Sequence, residues 1–389
     1  MGFAKRELER QQEEKWAPID DSQVCSRCFL DHELKNFIVS GSDGVGCDYC
    51  EDSSASKRKS RNINDVIGHI SEAIRNYYED PAQHMAYETA EGGYLGNTTD
   101  TYDLLEELVE VENPDVLGAI RDAFEHTLWC KRNPYSDEPS DEMFQDWTTF
   151  CEFIKHEKRF FLSDTKNIFE GIVRDFKKLK LFKIIKPGHI FFRARTFQSA
   201  NPFLFKFSEI TIPPKKVSIK QANRMSAAGI PLFYCSDTAA TCKSEARTAN
   251  LYGTQHDMIS FASFSTKKTL RVLDISKLPH VPSIFGSMER NERENIIFLR
   301  MFRDDIMKPV KRDGREHVEY IPSQIFTEYI RYYVRNGIHS VNGICYPSTQ
   351  NSKGLNYALF LNSKQIEEKR DPSSAAHIYY NADIASEKI

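Results

Sequence analysis

Apolar positions recur at helical spacing through the first half of the chain and at strand spacing through the second. Val66, Ile67, Ile70, Ala73, Ile74 and Tyr77 return every three to four residues, and Pro81 stops the run. Tyr102, Leu105, Leu108 and Val109 make a second stripe. Pro114, suited to a first helical turn, opens a third with Val116, Leu117, Ile120 and Phe124. Met143, Phe144, Trp147, Cys151 and Ile154 form a fourth behind the cap candidates Ser140 and Asp141. Ile168, Phe169, Ile172, Val173, Phe176 and Leu179 form a fifth. The pattern predicts an α-helical bundle over 62–182.

After Pro187 short β-rich runs take over: Ile190–Arg193, Pro231–Cys235, Thr269–Leu273, Gly343–Tyr346 and Tyr357–Phe360. Helical patterns intervene at 237–250, 290–304 and 320–336. Residues 186–364 therefore read as a mixed α+β domain. The flanks are polar: an arm over 1–20, a linker over 53–61 carrying Lys57, Arg58 and Lys59, and a loose tail over 365–389.

A chain of 389 residues exceeds one ordinary core, which agrees with several domains. Its net charge of −4 lacks the basic excess of a dedicated nucleic-acid binder, so nucleic acid is not a favoured partner. No apolar run approaches the about 20 residues of a membrane span. The first sixteen residues are charged and read as no secretory signal, and Arg6 stands where a myristoylation signal has Ser or Thr. Cytoplasmic residence is the expectation.

Four of the nine cysteines fall in two pairs, Cys25–Ser26–Arg27–Cys28 and Cys47–Asp48–Tyr49–Cys50, eighteen residues apart. That is the two-knuckle spacing of a structural zinc site, and it marks 21–52 as a four-cysteine zinc module. Four thiolates close the coordination shell and leave no position open for catalysis. Gly41–Gly46 between the pairs has the wrong glycine order for a phosphate loop and reads as a tight turn delivering Cys47. Cys130, Cys151, Cys235, Cys242 and Cys345 are scattered and read as free thiols.

Chemistry-bearing residues gather in the α+β region. Arg193 and Arg195 lie at a strand end. Arg224 sits in the polar loop Asn223–Pro231, Tyr234 on the strand that follows, and Glu245 on the next helix. Tyr346–Thr349 ends a later strand, and Asn356 begins another. Arginines suit phosphate, a tyrosine ring suits an aromatic base, and a lone carboxylate stabilises a sugar cation as a glycosidic bond breaks.

Arg193–Ala194–Arg195, Pro213–Pro214, NRMSAAGIPLFYCSDTAATCKSEA (223–246), Pro322–Ser323–Gln324, GICYPST (343–349) and Asn356–Phe360 resemble, in order, the blocks of the RES domain family. The likeness covers 186–364. Upstream, the C-x-x-C-F…G-x-C-D-x-C start and the block with Trp129–Cys130, Trp147…Phe150 and Lys155–His156…Arg159–Phe160 look like the HEPN-like domain often fused to it. The resemblance implies a fold similar to ADP-ribosyltransferase toxins. It implies an enzyme that cleaves the nicotinamide–ribose bond of NAD+ by hydrolysis or phosphorolysis, as a toxin or defence effector. Carried across, Arg193 is expected at the NAD+ phosphates, Arg224 in the G-R block, Tyr234 at a ring or ribose, and Glu245 at the transition state. Ser348 is expected near nicotinamide or phosphate. Ala194 replaces a common aromatic, Asn223 the block's glycine and Ser226 its asparagine. An antitoxin or other regulatory partner and a homo-oligomer are family-level expectations.

Other readings are a protein ADP-ribosyltransferase and a non-catalytic adaptor that binds nucleotide or a partner. Least favoured is a HEPN-type ribonuclease using Arg121…His126, since Arg312…His317 fits the same pattern in the wrong domain.

Overall fold

The computed structural model describes residues 15–90, 92–160, 165–199, 206–220, 222–251, 256–310 and 313–389. Most of the expected arm over 1–20, and Arg312, lie outside these. The chain forms two compact units, Met1–Glu142 with His280–Ile297, and Met143–Pro279 with Phe298–Ile389. The first is helical and cysteine-rich, and the second is mixed α/β.

In the first unit, β1 (Gln23–Cys25), β2 (Gly44–Val45) and β3 (Lys59–Asn62) form a small sheet in the order β1-β3-β2. The main helices beside it are α1 (His32–Ser40), α2 (Ile63–Arg75), α3 (Thr101–Leu108) and α4 (Pro114–Ala123). Each starts where a side chain accepts from its first turn, namely Asp31, Asn62, Asp100 and Asn113. The apolar pattern does not predict α1, because only Leu34 and Ile38 are buried along it. The cysteine module and the first three predicted helices share one core, with Val24, Cys28, Phe29 and Leu34 packed among Ile67, Ile70, Leu105 and Ile120. The expected linker is partly strand β3. Residues 280–297 join this unit because Phe285 enters the core and His69 Nε2 donates to the Phe285 carbonyl at 2.8 Å.

The second unit takes up α5 (Pro139–His156) from Met143 onward. It continues through α6 (Thr165–Lys178), β4 (Phe182–Ile185), β5 (Ile190–Phe197), β6 (Phe233–Ser236), α7 (Ala239–Leu251), β7 (Met258–Thr266) and β8 (Leu270–Asp274). The chain re-enters it along α8 (Arg290–Met307) at Phe298. Then come α9 (Ile321–Tyr333), β9 (Gly343–Pro347), β10 (Leu355–Leu359), β11 (Ile366–Glu367), β12 (Ile378–Tyr380) and β13 (Ala385–Lys388). Among the described residues the strands make one ten-stranded sheet in the order β11-β12-β7-β5-β6-β10-β9-β8-β4, with β13 also on β7. Pairing is antiparallel except β8 with β9 and β11 with β12.

The fourth and fifth predicted helices belong to this sheet's core. Trp147 of α5 meets Phe302 at 4.7 Å, and Phe169 of α6 meets Phe326 at 5.8 Å between ring centroids. The opposite face carries Phe191, Phe233, Phe264 and Leu359. Strand β7 is not legible in the sequence because serines interrupt it and most of it is buried on both faces, which erases the period of two. The polar tail over 365–389 is not loose. It forms β11, β12 and β13, with Ile366 and Ile378 buried.

Candidate active site

Strands β5 and β6 remain paired at one position, Phe192↔Ser236, and then part. A cleft of about 470 Å3 is lined by residues of both strands, of α7 and of the loop before β6. Arg193, Arg195, Tyr234, Glu245, Tyr346 and Asn356 all line it.

Phe191, Arg193 and Arg195 share one face of β5 by the two-residue period. Phe191 is buried in the core, while the arginines line the cleft. Arg193 is itself buried, and its Nη1 donates to the Tyr234 carbonyl. Its Nε finds no partner among the described residues. Burial, and next the charge of Arg195, pull its pKa down to about 9. Arg195 donates to the Thr211 carbonyl at 3.2 Å, and burial lowers its pKa as well. A cation held out of water without a full set of acceptors gains from an anion, and a guanidinium fork matches phosphate oxygens.

Glu245 is the one carboxylate among the described lining residues. Ser348 Oγ donates to its Oε1 at 2.6 Å, and Asn356 Nδ2 donates to the same oxygen at 2.7 Å. Asn356 in turn accepts from Ser236 Oγ at 2.7 Å. One carboxylate oxygen is thus pinned, and Oε2 carries no hydrogen bond among the described residues. Cys235 and Cys242 also line the cleft, but burial raises both thiols, Cys242 to about 12. They stay protonated at neutral pH and are poor nucleophiles.

Burial pushes the Tyr234 phenol up to about 12, so it keeps its proton. Its hydroxyl accepts from Met225 N at 3.3 Å and pairs with Ser226 Oγ at 3.0 Å. That loop is held from α9, where Gln324 Nε2 donates to the Asn223 carbonyl at 2.9 Å. The separated blocks around 223–234 and 322–324 are therefore one structural device.

Two expected ligand contacts stand elsewhere. Arg224 is not among the described lining residues. Its Nη1 donates to the carbonyls of Ile306 and Lys308 at 2.9 and 2.7 Å, so it caps the end of α8 and anchors the loop. Ser348 Oγ accepts from the amides of Gln350 and Asn351, both at 3.1 Å, while donating to Glu245. Its hydroxyl is committed to the carboxylate. Asn356 stands in the sequence among the chemistry-bearing residues but is given no role there; here it holds the Glu245 carboxylate. Arg224→Met is expected to cost about 2 kcal/mol by losing two charge-assisted bonds. It should lower Tm by about 5 °C with the ligand KM held within about twofold. A large KM rise at unchanged Tm would put Arg224 back among the ligand contacts.

In the first unit the thiols of Cys25, Cys28, Cys47 and Cys50 lie within 4.8 Å of one another. Their Sγ–Sγ contacts of 4.0, 3.8, 3.5 and 3.6 Å cluster about a single centre. A tetrahedron with Zn–S bonds of about 2.3 Å has edges of about 3.8 Å, so the set fits zinc. Gly46, at φ +111°, makes the turn that delivers Cys47. Arg121, the ribonuclease candidate, donates to Glu106 Oε2 at 2.6 Å. A carboxylate occupying that guanidinium works against a phosphate there.

Among the described residues no helix is long and apolar enough to cross a membrane. Compared with known families, residues 205–381 match the RES domain, and residues 41–168 match HEPN/RES N-terminal domain 1. No curated protein and no solved structure matches the chain.

Proposed function

The chain is an RES domain protein with an HEPN/RES N-terminal domain, and on that premise we propose that its cleft binds NAD+ and cleaves the nicotinamide–ribose bond. The observation that carries this reading is one carboxylate, pinned at one oxygen, in a cleft that also holds the buried Arg193, whose Nε lacks an acceptor among the described residues. Arg193, with Arg195 beside it, takes the pyrophosphate. Tyr234, protonated and fixed by its loop, packs at the ribose or the ring. As the bond from C1′ to the pyridinium nitrogen breaks, the electron pair goes to nicotinamide, which leaves neutral. The positive charge left on C1′ and its ring oxygen is stabilised by Glu245. A water then adds to C1′ and loses its proton, giving ADP-ribose. Inorganic phosphate adding there would give the 1-phosphate instead. NAD+ depletion by such a reaction is a toxin-like or defence activity. In the first unit the four thiolates hold a structural zinc, which stabilises that fold and takes no part in the chemistry.

The test is release of nicotinamide from NAD+ by the purified protein, with the second product identified by mass spectrometry. Intact NAD+ after prolonged incubation with wild type would favour the adaptor reading. Arg193→Lys keeps the charge and loses the planar fork. It is expected to raise KM about tenfold and to change kcat by less than about threefold. An unchanged KM would remove Arg193 from the phosphate role.

A further inference from the structure

One strand beyond the RES match grips both walls of the cleft. Strand β13 pairs with β7 from Met258↔Lys388 to Phe261↔Ala385, and Ser386 Oγ meets Ser260 Oγ at 2.6 Å. Across the other edge of β7, Ser260 pairs with Arg195 and Ala262 with Arg193. Strand β13 therefore backs the strand that carries the register of the two arginines.

The second grip is on α7. Glu387 Oε2 accepts from Lys243 Nζ at 2.8 Å, and its Oε1 accepts from Arg247 Nη2 at 2.9 Å. Lys243 also lies over the Phe261 ring, 3.7 Å from its centroid. Lys243 and Arg247 are four residues apart and share a helix face. Glu245 falls about 200° around the helix from Lys243, on the cleft side. A single exposed ion pair contributes little. Here two cations from one helix face converge on one carboxylate, and that carboxylate rides on a strand fixed by backbone pairing. Such a three-point contact sets the rotation and depth of α7, and with them the place of Glu245 Oε2.

We propose that Glu387 is a positioning residue that holds α7, and through it Glu245, in register with the arginine wall. The inference rests on the reading of the cleft as the NAD+-cleaving site. The residue lies outside the matched residues 205–381.

Glu387→Gln is expected to lower kcat for nicotinamide release about fivefold with KM within about twofold. It should also speed amide hydrogen exchange across residues 240–248 without lowering protection in β5 and β6. Glu387→Lys should lower kcat about tenfold, and combining it with Lys243→Glu should restore kcat to within about twofold of wild type. Wild-type kcat in both Glu387 variants, or unchanged exchange in α7, would overturn the proposal. Should Glu387→Gln lose cooperative melting, Lys243→Met leaves β13 untouched and carries the same comparison. If wild type releases no nicotinamide, the NAD+ reading fails by itself. The exchange comparison then still decides whether Glu387 holds the helix.

Discussion

Glu245→Gln is expected to lower kcat for nicotinamide release by about a thousandfold or more, while NAD+ affinity stays within about threefold. The substitution is close to isosteric. Ser348 Oγ and Asn356 Nδ2, at 2.6 and 2.7 Å from Oε1, can donate to an amide oxygen in the same place. What disappears is the negative charge facing the developing sugar cation. With bulk water displaced by a bound substrate, a unit charge acts more strongly than in free solvent. A thousandfold loss corresponds to about 4 kcal/mol. NAD+ in its ground state carries its positive charge on the pyridinium ring. Bond breaking moves that charge to C1′ and its ring oxygen, so the lost interaction belongs to the transition state. Rates of nicotinamide release, together with calorimetric binding of NAD+ to the variant, separate the two quantities. Undiminished turnover would remove Glu245 from the chemistry. A loss of binding as large as the loss of rate would make it a ligand contact instead.

The same local geometry explains how much of the site can be read in advance. Glu245, Arg193 and Tyr234 stand out in the sequence because each is the residue type the proposed chemistry requires, at the end of a strand or on the following helix. The structure brings all three to one cleft. Arg224 stands in the same sequence block as Tyr234, and its charge suggests phosphate. It serves the block differently, by tying the loop to the Ile306 and Lys308 carbonyls. Nothing in the order of residues separates an arginine that meets a ligand from one that meets a carbonyl on a distant helix. Ser348 shows the same ambiguity on a smaller scale. A hydroxyl two positions after a strand tyrosine can face a substrate or a carboxylate, and here three hydrogen bonds within the protein use it up.

At the level of fold, strongly periodic segments are legible and segments buried on two faces are not. The stripe Val66, Ile67, Ile70 and Ile74 has one apolar face and produces α2. Strand β7 has Ser260, Ser263 and Ser265 buried beside Ile259 and Phe264, so polarity no longer reports which face is inside. The tail over 365–389 is obscure for a related reason. Its apolar residues are split by the polar run Glu367–Ser374, and its order comes from pairing with an open edge of β7 that only the assembled sheet provides. Unit membership is hidden as well. The aromatic stripes of α5 and α6 announce burial but not a partner, and their partners Phe302 and Phe326 lie far along the chain.

Cys28→Ser is expected to remove the metal and unfold the first unit. Cys28 Sγ is the most central of the four, at 4.0 Å from Cys25, 3.5 Å from Cys47 and 3.6 Å from Cys50. A neutral hydroxyl is a poor replacement for a thiolate, and the remaining three thiolates would lose their closed shell. Cys25 and Cys28 are also core residues, packed with Val24, Phe29 and Leu34, so the knuckle and the hydrophobic core fail together. Zinc binding to comparable peptides releases about 10–16 kcal/mol, whereas a whole domain is held by about 5–15 kcal/mol. Loss of the metal therefore removes stability of the same order as the fold itself. Tryptophan fluorescence reads the outcome by unit. Trp16 and Trp129 are buried in the first unit and should become exposed, while Trp147 of the second remains in its cluster with Phe169 and Phe302. Native mass spectrometry should find one zinc per wild-type chain and none in Cys28→Ser. A zinc-free variant that melts as wild type does would show that the four cysteines are not a structural metal site.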